Sequence, residues 1–556
     1  MPVRTPGAAA GQNPPAARPQ PLWGGPLLCT LATGRASARC PNAEREVVME
    51  GSTMVEPTHG LARNALGLPQ VLFCIVTGAA PIAAMLFNDF WAVYGGGWAA
   101  PSAFIMATLA FTIFSVGYVA MARRVTAAGG FYSFVSHAFG QSLGMGTALL
   151  IAACYTVFAA GVTGVTAYFA NATFNDWFSV DIPVWVWEFG TLGIMVALAF
   201  FHIELTARIL GFFLMIEVAA LLVFAFATLF QPKHGLVLDS LLPWNFFDSA
   251  GNGSKAAFGA GTVGAGFFGA FWSWIGFEMA PNYAEESRDP KKIMGPATYI
   301  SVIGLGVLYT FVCWMLVVAY GKAGIIPGIN AQLKGDVASV FYPATDRAIG
   351  LNIGGESILT RAFELTIVTG SFACQLAFFN TATRYFFSMG REGILPRQLG
   401  RTHPTHHSAY YASTLTGVFC AAIIAGFLWY NSSALGALLY LGTWVPMMGN
   451  IGILSVMALV SVAIIKYFAT TAKDGQHWFA TILAPILACI AMIVATYLLV
   501  NNRTTLAGGV TTIPFVNWMW LPPLLVFIGG IAIAQMYKTR DRARYEGIGR
   551  YLHEDA

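Results

Sequence analysis

Two carboxylates stand inside long apolar stretches, where an ionised group is expensive. Glu278 follows Gly276 in the apolar run 267–281, and Glu217 lies in the run 214–222 with no basic residue in the next turn. On insertion scales a charged side chain at the centre of a bilayer costs about 2.5–3.5 kcal/mol, so each group needs a cavity, a partner or a proton. These positions predict functional groups inside a membrane.

Each carboxylate has two interpretations. Glu278 either accepts backbone N–H bonds in an opened helix, which we favour, or receives a cationic group of a substrate. Glu217 is either a proton site, protonated when the outside is open and emptied inward, or a neutral acid hydrogen-bonded to a neighbouring backbone. Burial disfavours the ionised form of a carboxyl group, so both alternatives for Glu217 stay open.

Other polar and aromatic residues lie at similar depth. Gln375, in the eighth apolar segment, either faces a substrate side chain or bridges helices, as membrane amides often do. Tyr155 and Phe158 either form the wall of a pocket or simply pack in the bundle. Ser371 is a candidate ligand should sodium be the coupling ion.

Two apolar segments carry helix-breaking residues in corresponding positions. In the first segment Gly78 and Pro81 weaken the helical hydrogen bonding, and in the sixth the break falls at Ile275, Gly276 and Phe277. A pair of interrupted helices five segments apart indicates an inverted-repeat transporter. In that geometry the N-terminus of a half-helix faces a substrate carboxylate and loosened carbonyls face its ammonium group. Pro81, at the first break, is therefore among the predicted substrate-binding residues.

The composition is that of a membrane protein. Of 556 residues, 56% are hydrophobic and 10% are charged, against about 25% charged in soluble domains. Because a span needs about 20 apolar residues, we count twelve segments, centred near residues 80, 110, 157, 193, 218, 271, 308, 373, 419, 452, 489 and 526. The net charge of +4 does not indicate binding to nucleic acid. The cysteines form no CxxC pair, and we expect neither a metal nor a cofactor.

Basic residues sort the connections between these segments into two sets. One set carries Arg63, Arg123, Arg124, Arg208, Arg288, Lys291, Lys292, Arg384, Arg391, Arg397, Arg401, Lys466, Lys473, Lys538, Arg540, Arg542 and Arg544. The other carries Lys233, Lys255, Lys322, Lys334, Arg347, Arg361 and Arg503. By the positive-inside rule, we expect a multi-pass protein of the plasma (inner) membrane with both termini in the cytoplasm.

Several motifs resemble those of a known family. The stretch 272–278, Trp-Ser-Trp-Ile-Gly-Phe-Glu, followed by Glu-Glu-Ser-Arg-Asp-Pro-Lys-Lys at 285–292, is similar to the sixth-helix signature of the amino acid–polyamine–organocation (APC) permeases. Three further stretches resemble that family: 78–80, 128–132, and 380–396 with Asn380, Arg384 and Leu395-Pro396. The resemblance covers residues 64 to 540.

The resemblance implies an all-α membrane protein of about twelve helices, a five-plus-five inverted repeat with discontinuous helices 1 and 6 and two added C-terminal helices. It implies substrate-binding positions at Gly78, Ala79, Ala80, Trp272, Ile275, Gly276 and Phe277, with Trp272 at an aromatic gate. This chain departs from the family at its first break, where Gly-Ala-Ala-Pro stands in place of Gly-Ser-Gly. The loss of that hydroxyl leaves carboxylate recognition to backbone N–H groups.

Two further roles follow from the resemblance and from the charges. In proton-coupled relatives a lysine occupies about the position of Glu217, which supports a proton site there. We also expect Glu285 and Glu286 to lie in a solvated cytoplasmic loop that closes on Arg123 and Arg124 as an inner gate. Exposed pairs of this kind contribute about 0–1 kcal/mol, which suits a gate that must open.

The function predicted from the sequence is secondary transport of a neutral, largely apolar amino acid, driven by protons or by exchange (antiport). A polyamine or amine transporter and a sodium-coupled symporter stay open as alternatives. A membrane-embedded enzyme is disfavoured because no Gly-x-Ser-x-Gly, HExxH or phosphate-loop motif occurs, and a non-transporting sensor would show no flux. The expected partners are the small-molecule substrate and membrane lipid, with the protein a monomer or a homodimer.

The predicted organisation has five parts. Residues 1–62 form a disordered cytoplasmic tail, 63–232 the first repeat, 233–468 the second, 469–540 the last two helices and 541–556 a cytoplasmic C-terminal tail. A start at Met49 or Met54, which would leave most of the first part untranslated, is an open alternative that mass spectrometry of the native protein would decide.

Overall fold

The computed structural model describes residues 66–125, 129–200, 203–248, 262–284, 286–350, 352–353, 355–406, 408–471, 477–508 and 512–549. The predicted N-terminal tail, 1–62, and the predicted gate residue Glu285 lie outside the described residues.

Nearly all of the described chain is helical. In chain order the helices are α1 Leu68–Ala79, α2 Pro81–Ala83, α3 Asp89–Gly96, α4 Ala100–Ala122, α5 Phe131–Phe139, α6 Gln141–Phe178, α7 Val184–Ala199, α8 Ile203–Phe230, α9 Pro243–Asp248, α10 Thr262–Trp272, α11 Pro290–Lys334, α12 Phe341–Ala348, α13 Ile358–Arg391, α14 Tyr410–Tyr430, α15 Ala434–Gly436, α16 Val445–Thr470, α17 Ala484–Asn501, α18 Arg503–Leu506, α19 Pro514–Trp518, α20 Leu521–Arg540 and α21 Arg542–Gly547. Two strands, β1 Asn352–Ile353 and β2 Glu356–Ser357, pair antiparallel as a short hairpin.

The all-α membrane fold predicted from the sequence is confirmed. Among the described residues, nine helical segments are long and apolar enough to cross a membrane, and α7 is a shorter apolar helix. In this set α1–α4 form one continuous segment of 55 residues, and α10 does not reach spanning length. The twelve-span count and the inverted repeat stay predictions.

Both expected helix interruptions are present. Helix α1 ends at Ala79, and Ala80 adopts a left-handed conformation with a φ of 44° before Pro81 begins α2. Proline disfavours a helical conformation in the residue that precedes it, and a left-handed alanine costs on the order of 1–3 kcal/mol. Helix α10 ends at Trp272, and the chain continues as the 3₁₀ helix Phe277–Tyr283.

Helix α6 forms the centre of the bundle, where it packs against α13, α16 and α20. Small residues allow these close approaches: a methyl group on Gly530 of α20 would lie 2.7 Å from Cα of Gly146 on α6. Such small-residue contacts are typical of membrane helices, which gain little hydrophobic energy from associating within lipid. The bundle surrounds α1, α2 and α10 and so holds both interruptions inside protein.

Candidate functional site

The two interruptions meet inside the bundle. A methyl group on Gly276 would lie 2.7 Å from the backbone nitrogen of Ala79, and one on Gly78 would lie 3.5 Å from Cα of Gly276. Gly276 has a φ of 129°, which L side chains rarely adopt. Glycine is therefore required at 276 both by its backbone conformation and by the close approach of the other break.

A small cavity lies against this contact. Its volume is about 30 Å³, on the order of the space that one or two water molecules need. Its walls are formed by Gly78, Ala79, Ala80, Ala83, Ala84, Phe87, Asn88, Val162, Val165, Trp272, Ile275, Cys374 and Phe378. The cavity touches both breaks together with α6 and α13, and a molecule larger than water fits only if these walls move apart.

The cavity divides the predicted substrate-binding residues into two groups. Those that line it are Gly78, Ala79, Ala80, Trp272 and Ile275, and those that do not are Pro81, Tyr155, Phe158, Gly276, Phe277, Glu278 and Gln375. Tyr155 and Phe158 lie behind Phe378, with ring centroids 5.9 and 5.3 Å from it. They therefore support the wall rather than form its surface.

The sequence analysis missed several lining residues. These are Ala83, Ala84, Phe87, Asn88, Val162, Val165, Cys374 and Phe378. Their spacing carried a signal, since 84 and 88, 162 and 165, and 374 and 378 are three or four residues apart and so share a helix face. Asn88 also donates a 3.3 Å hydrogen bond from Nδ2 to Ser273 Oγ, which ties the turn after the first break to the second break.

Backbone groups at the two breaks carry opposite partial charges. The first N–H groups of a helix have no partner within that helix, and here the first helix after the break begins at Pro81, with Ala83 on the cavity wall. At the other break the carboxyl end of α10 reaches the cavity at Trp272. A half-helix N-terminus attracts a carboxylate and a half-helix C-terminus attracts a cation.

Two carbonyls of the first break are already bonded to protein donors. The Tyr309 hydroxyl donates to the oxygen of Ala79 at 3.0 Å, and the Cys374 thiol donates to the oxygen of Gly78 at 3.2 Å. These bonds stabilise the opened backbone of α1 and attach it to α11 and α13.

Glu278 stabilises the second break from within. Its side chain is 3% exposed; Oε2 accepts a 3.0 Å hydrogen bond from the N–H of Gly276, and Oε1 accepts one of 2.5 Å from the hydroxyl of Tyr155. The Tyr118 hydroxyl donates to its backbone oxygen at 2.7 Å. Since both carboxyl oxygens are bonded within the protein and neither reaches the cavity, this geometry favours the structural interpretation.

Glu217 approaches the first break from behind. It lies on α8 and is 1% exposed, and a methyl group on Gly370 of α13 would lie 2.6 Å from its carboxyl carbon. The backbone amide of Ile82, in the half-helix after the break, is the polar group that approaches it. Within the part of the chain that the structure describes, neither carboxyl oxygen has a partner at hydrogen-bonding distance and angle.

The other polar candidates are buried beside the site. Gln375 is 0% exposed, and neither polar atom of its amide has a hydrogen-bond partner among the described residues. The Ser371 hydroxyl donates at 2.6 Å to the oxygen of Ile367 in its own helix. Ser371 thus satisfies its donor locally, as serine commonly does in membrane helices.

The expected exposed position of Glu286 is wrong. It is 1% exposed and forms a bidentate ion pair with Arg384 of α13, with N–O distances between 2.7 and 3.1 Å. The chain is drawn inward here because Leu66 donates to the oxygen of Glu286 and accepts from the N–H of Arg288. Arg123 and Arg124, the predicted gate partners, are both exposed at the end of α4.

A column of tyrosines fills the space between Glu278 and the Arg-rich end of the bundle. We call this end, which carries Arg123, Arg124, Arg391 and Arg401, the basic end. Tyr155 stacks on Tyr385 with ring centroids 6.0 Å apart, and Tyr385 lies 6.2 Å from Tyr132 of α5.

The column ends at the C-terminal segment of the chain. The Tyr132 hydroxyl donates to Oε1 of Glu392 at 2.9 Å, and the N–H of Gly549 donates to Oε2 of the same carboxyl at 3.2 Å. The neighbouring Ile548 is fully buried. The segment after α20 is therefore part of the closure at the basic end.

Acidic groups also cluster at the other end of the bundle. Asp176, Glu356 and Glu364 bring carboxylate oxygens within 4.8 Å of one another, which by itself suits a cation. Nη1 of Arg361 contacts all three, at 3.0 Å for Glu364 and 3.5 Å for Glu356. The guanidinium group already occupies the position that a metal ion would take.

Comparison with known proteins places these features in a family. The amino acid permease family model matches residues 66–528. The branched-chain amino acid permease BcaP of Bacillus subtilis is 24% identical over 444 residues, which are 76% of this chain and 84% of BcaP. A probable GABA permease of Pseudomonas aeruginosa is 25% identical over 404 residues (69% and 79%). A methylthioribose transporter of B. subtilis is 25% identical over 258 residues (46% and 48%).

Proposed function

The chain belongs to the amino acid permease family of the APC superfamily, membrane transporters rather than enzymes, and from this premise we propose that it carries neutral amino acids with aliphatic side chains by alternating access. One observation supports the proposal above all. Two interrupted helices bring a half-helix N-terminus and a half-helix C-terminus to the same small cavity. Their opposite partial charges match the carboxylate and ammonium groups of an amino acid.

The side chains around the cavity support an apolar substrate. Among the described residues, its walls combine small aliphatic groups with the rings of Phe87, Trp272 and Phe378, and none of its side chains is charged. A charged substrate side chain would lose its hydration there without gaining a partner, which is unfavourable. The relative BcaP, named for branched-chain amino acids, fits the same substrate class.

We propose that protons drive the transport and that Glu217 binds the coupling proton. The carboxyl group of Glu217 lies against α2, the half-helix whose N-terminus would hold the carboxylate of the substrate. Protonation of Glu217 therefore removes a negative charge close to that N-terminus. Sodium coupling stays the alternative, since the oxygens of Gly78 and Ala79 and the hydroxyl of Ser371 keep lone pairs beside the hydrogen bonds that they form within the protein. The expected behaviour of Glu217→Gln is exchange of substrate without accumulation under a proton gradient.

We further propose that the protein lies in the plasma membrane with its basic end in the cytoplasm, according to the positive-inside rule. The closure by Glu286 and Arg384 would then be an inner gate. In intact cells, a thiol reagent that does not cross the membrane should label a single cysteine placed in the loop before α9 and not one placed on α5. The reverse pattern would contradict this orientation.

Counterflow in proteoliposomes tests the transport proposal. Purified protein with internal leucine should take up labelled leucine, valine and isoleucine, and lysine and glutamate should compete weakly. The decisive variant is Gly276→Ala, because an added methyl group is strained by the φ of 129° and meets Ala79. A strained residue of this kind costs on the order of 1–3 kcal/mol, so we expect more than about a tenfold loss of flux.

The matched control is Gly529→Ala on α20, where an added methyl group meets nothing within 4 Å. This variant should transport like the parent protein. Absence of counterflow for the whole panel in the parent protein would refute the proposal, and equal flux in the two glycine variants would refute the assignment of the site.

A further inference from the structure

A further buried carboxyl group, Asp89, has no part in the proposed transport steps. It is the first residue of α3, directly after Asn88 on the cavity wall, and it is 0% exposed. In the part of the chain that the structure describes, no donor meets either carboxyl oxygen at hydrogen-bonding distance and angle, and the thiol of Cys313 is the weak donor that approaches them. A polar group that is both buried and unpaired in this way calls for a physical explanation.

The neighbouring helices offer Asp89 no cation. α3 packs against α10, α11, α4 and the short turns on either side of it. Helix α10 has no titratable residue between Thr262 and Trp272, and neither turn, 84–88 or 97–99, has one. On α4 the titratable group is Tyr118, which donates to Glu278.

Helix α11 places a thiol beside the carboxyl group. Cys313 faces Asp89 and is itself fully buried, and Tyr309, one turn earlier, donates to Ala79. Lys322, the next basic residue of α11 toward that end, is bound to Asp239 at 2.8 Å and lies over the ring of Trp98. A thiol is only a weak donor and cannot balance a negative charge.

These surroundings determine the protonation state of Asp89 while α3 is packed against α11. A buried carboxylate without a partner loses several kcal/mol of hydration free energy and regains none of it by pairing. The neutral acid avoids most of that loss. Packing of α3 against α11 is therefore compatible with a protonated Asp89 and strongly opposed by an ionised one.

We propose that Asp89 is a second proton-binding site, which must be protonated before the half of the bundle that contains α3 can close over the substrate. When α3 and α11 separate, water reaches the carboxylate, and a hydronium ion transfers its proton to one carboxylate oxygen, forming an O–H bond and releasing water. Closure then buries the neutral acid against Cys313. The inference rests on the proposed transport function and adds to it a closing step controlled by the pH at the end opposite the basic end.

The test is substrate exchange measured while the pH is varied only on the side of α3. In the parent protein the exchange rate should fall as the pH rises past the midpoint of Asp89, by up to about tenfold per pH unit, as expected for one titrating group. Asp89→Asn keeps the size and the neutral form of the side chain. It should exchange at all pH values at a rate that changes less than about twofold.

The control is Asp239→Asn, an exposed acid at the same end, which should keep the pH profile of the parent protein. A second measurement guards against misfolding of the Asn variant. In a Glu217→Gln background, the infrared band of protonated carboxylic acids in the closed state should lose one component when Asp89→Asn is added, while the contribution of Glu392 stays. A band that stays unchanged overturns the proposal.

The possible failures are distinguishable. If the parent protein shows no counterflow of any amino acid, the transport function fails and the inference fails with it. If counterflow is present and Asp89→Asn keeps the pH profile of the parent protein, only the role of Asp89 is refuted.

Discussion

Toward the basic end the cavity is closed by buried hydrogen bonds and an ion pair, whereas toward the other end it is closed by aromatic rings. The first closure includes Glu278 with Tyr155 and Glu286 with Arg384. The second includes Phe87 against Trp272, with ring centroids 5.5 Å apart, and Trp91 against Phe268 at 6.5 Å. Polar closures are directional and leave costly unpaired groups when they open, while ring contacts separate without stranding a charge.

Under the proposed alternating access, this difference predicts that the two ends open in different ways. At the aromatic end the ring contacts weaken gradually with distance, so the proposed protonation of Asp89, rather than the rings, would determine when that end opens. The polar end behaves more like a switch, since a buried bidentate pair is either formed or broken. Opening toward the basic end should therefore need a compensating event, such as a change in protonation or in substrate occupancy.

The largest expected effect comes from breaking the ion pair at the basic end. Glu286→Gln leaves Arg384 as a buried, uncompensated charge, and removal of one partner of such a pair costs about 3–5 kcal/mol. The thermal unfolding midpoint in detergent should fall accordingly, and the double variant Glu286→Gln with Arg384→Gln should recover part of the loss. The exposed Arg123→Gln is the control, with an expected change within about 0.5 kcal/mol. Equal melting of the single variant and the control would contradict the polar closure.

A smaller effect is expected where the tyrosine column meets the second break. Tyr155→Phe removes the donor to the buried carboxyl of Glu278, which leaves an acceptor unsatisfied at a cost of about 1–3 kcal/mol. Chemical denaturation of Tyr155→Phe and of Tyr168→Phe, a tyrosine on the same helix, would measure the difference. If both lose the same stability, the hydrogen bond to Glu278 contributes nothing specific.

At the aromatic end the expected loss of stability is smaller still. Phe87→Leu keeps an apolar side chain but removes the edge-to-face contact with Trp272, and such aromatic pairs contribute about 0.5–1.5 kcal/mol. The variant should also accumulate less substrate and show faster efflux, because the cavity would open more readily toward this end and substrate would leak back. A variant with unchanged accumulation and unchanged efflux would show that this ring pair is no gate.

The last expected effect is a pH dependence at the C-terminal contact. Burial raises the pKa of Glu392 from its usual 4.5 to about 7. Between pH 4.5 and pH 7 the folded protein therefore holds a proton on Glu392 that the unfolded chain has lost. The contribution of this group to the free energy of unfolding is complete below pH 4.5 and is lost as the pH rises through 7. The difference between the thermal unfolding midpoints at pH 5 and pH 8 should be smaller for Glu392→Gln than for the parent protein. An unchanged difference would show that Glu392 does not cause the pH dependence.

The sequence predicted the parts of the fold that follow from local chemistry. Apolar length predicted the helical membrane bundle, and Pro81 and Gly276 marked both interruptions, because proline and glycine act on their own backbone. Five of the predicted substrate residues lie on the cavity wall because they belong to those interruptions.

What the sequence did not predict depends on which helices meet. Asp89 stands in an apolar segment as Glu217 does, yet its lack of a partner is visible only once α10 and α11 are packed against α3. The burial of Glu286 depends on Arg384, 98 residues away along the chain. Leu66 and Arg288 draw that segment inward through backbone hydrogen bonds, which no side-chain pattern reveals.

The central claim is that the two half-helix ends hold the carboxylate and the ammonium group of one substrate, and competition by truncated substrates tests it most directly. Leucine, its decarboxylated amine and its deaminated acid would compete against labelled leucine for counterflow through the parent protein. Each lost charged group should weaken competition by about 1.5–3 kcal/mol, or more than tenfold, since hydrogen bonds to charged groups have this magnitude. An amine or an acid that competes as well as leucine would contradict the account.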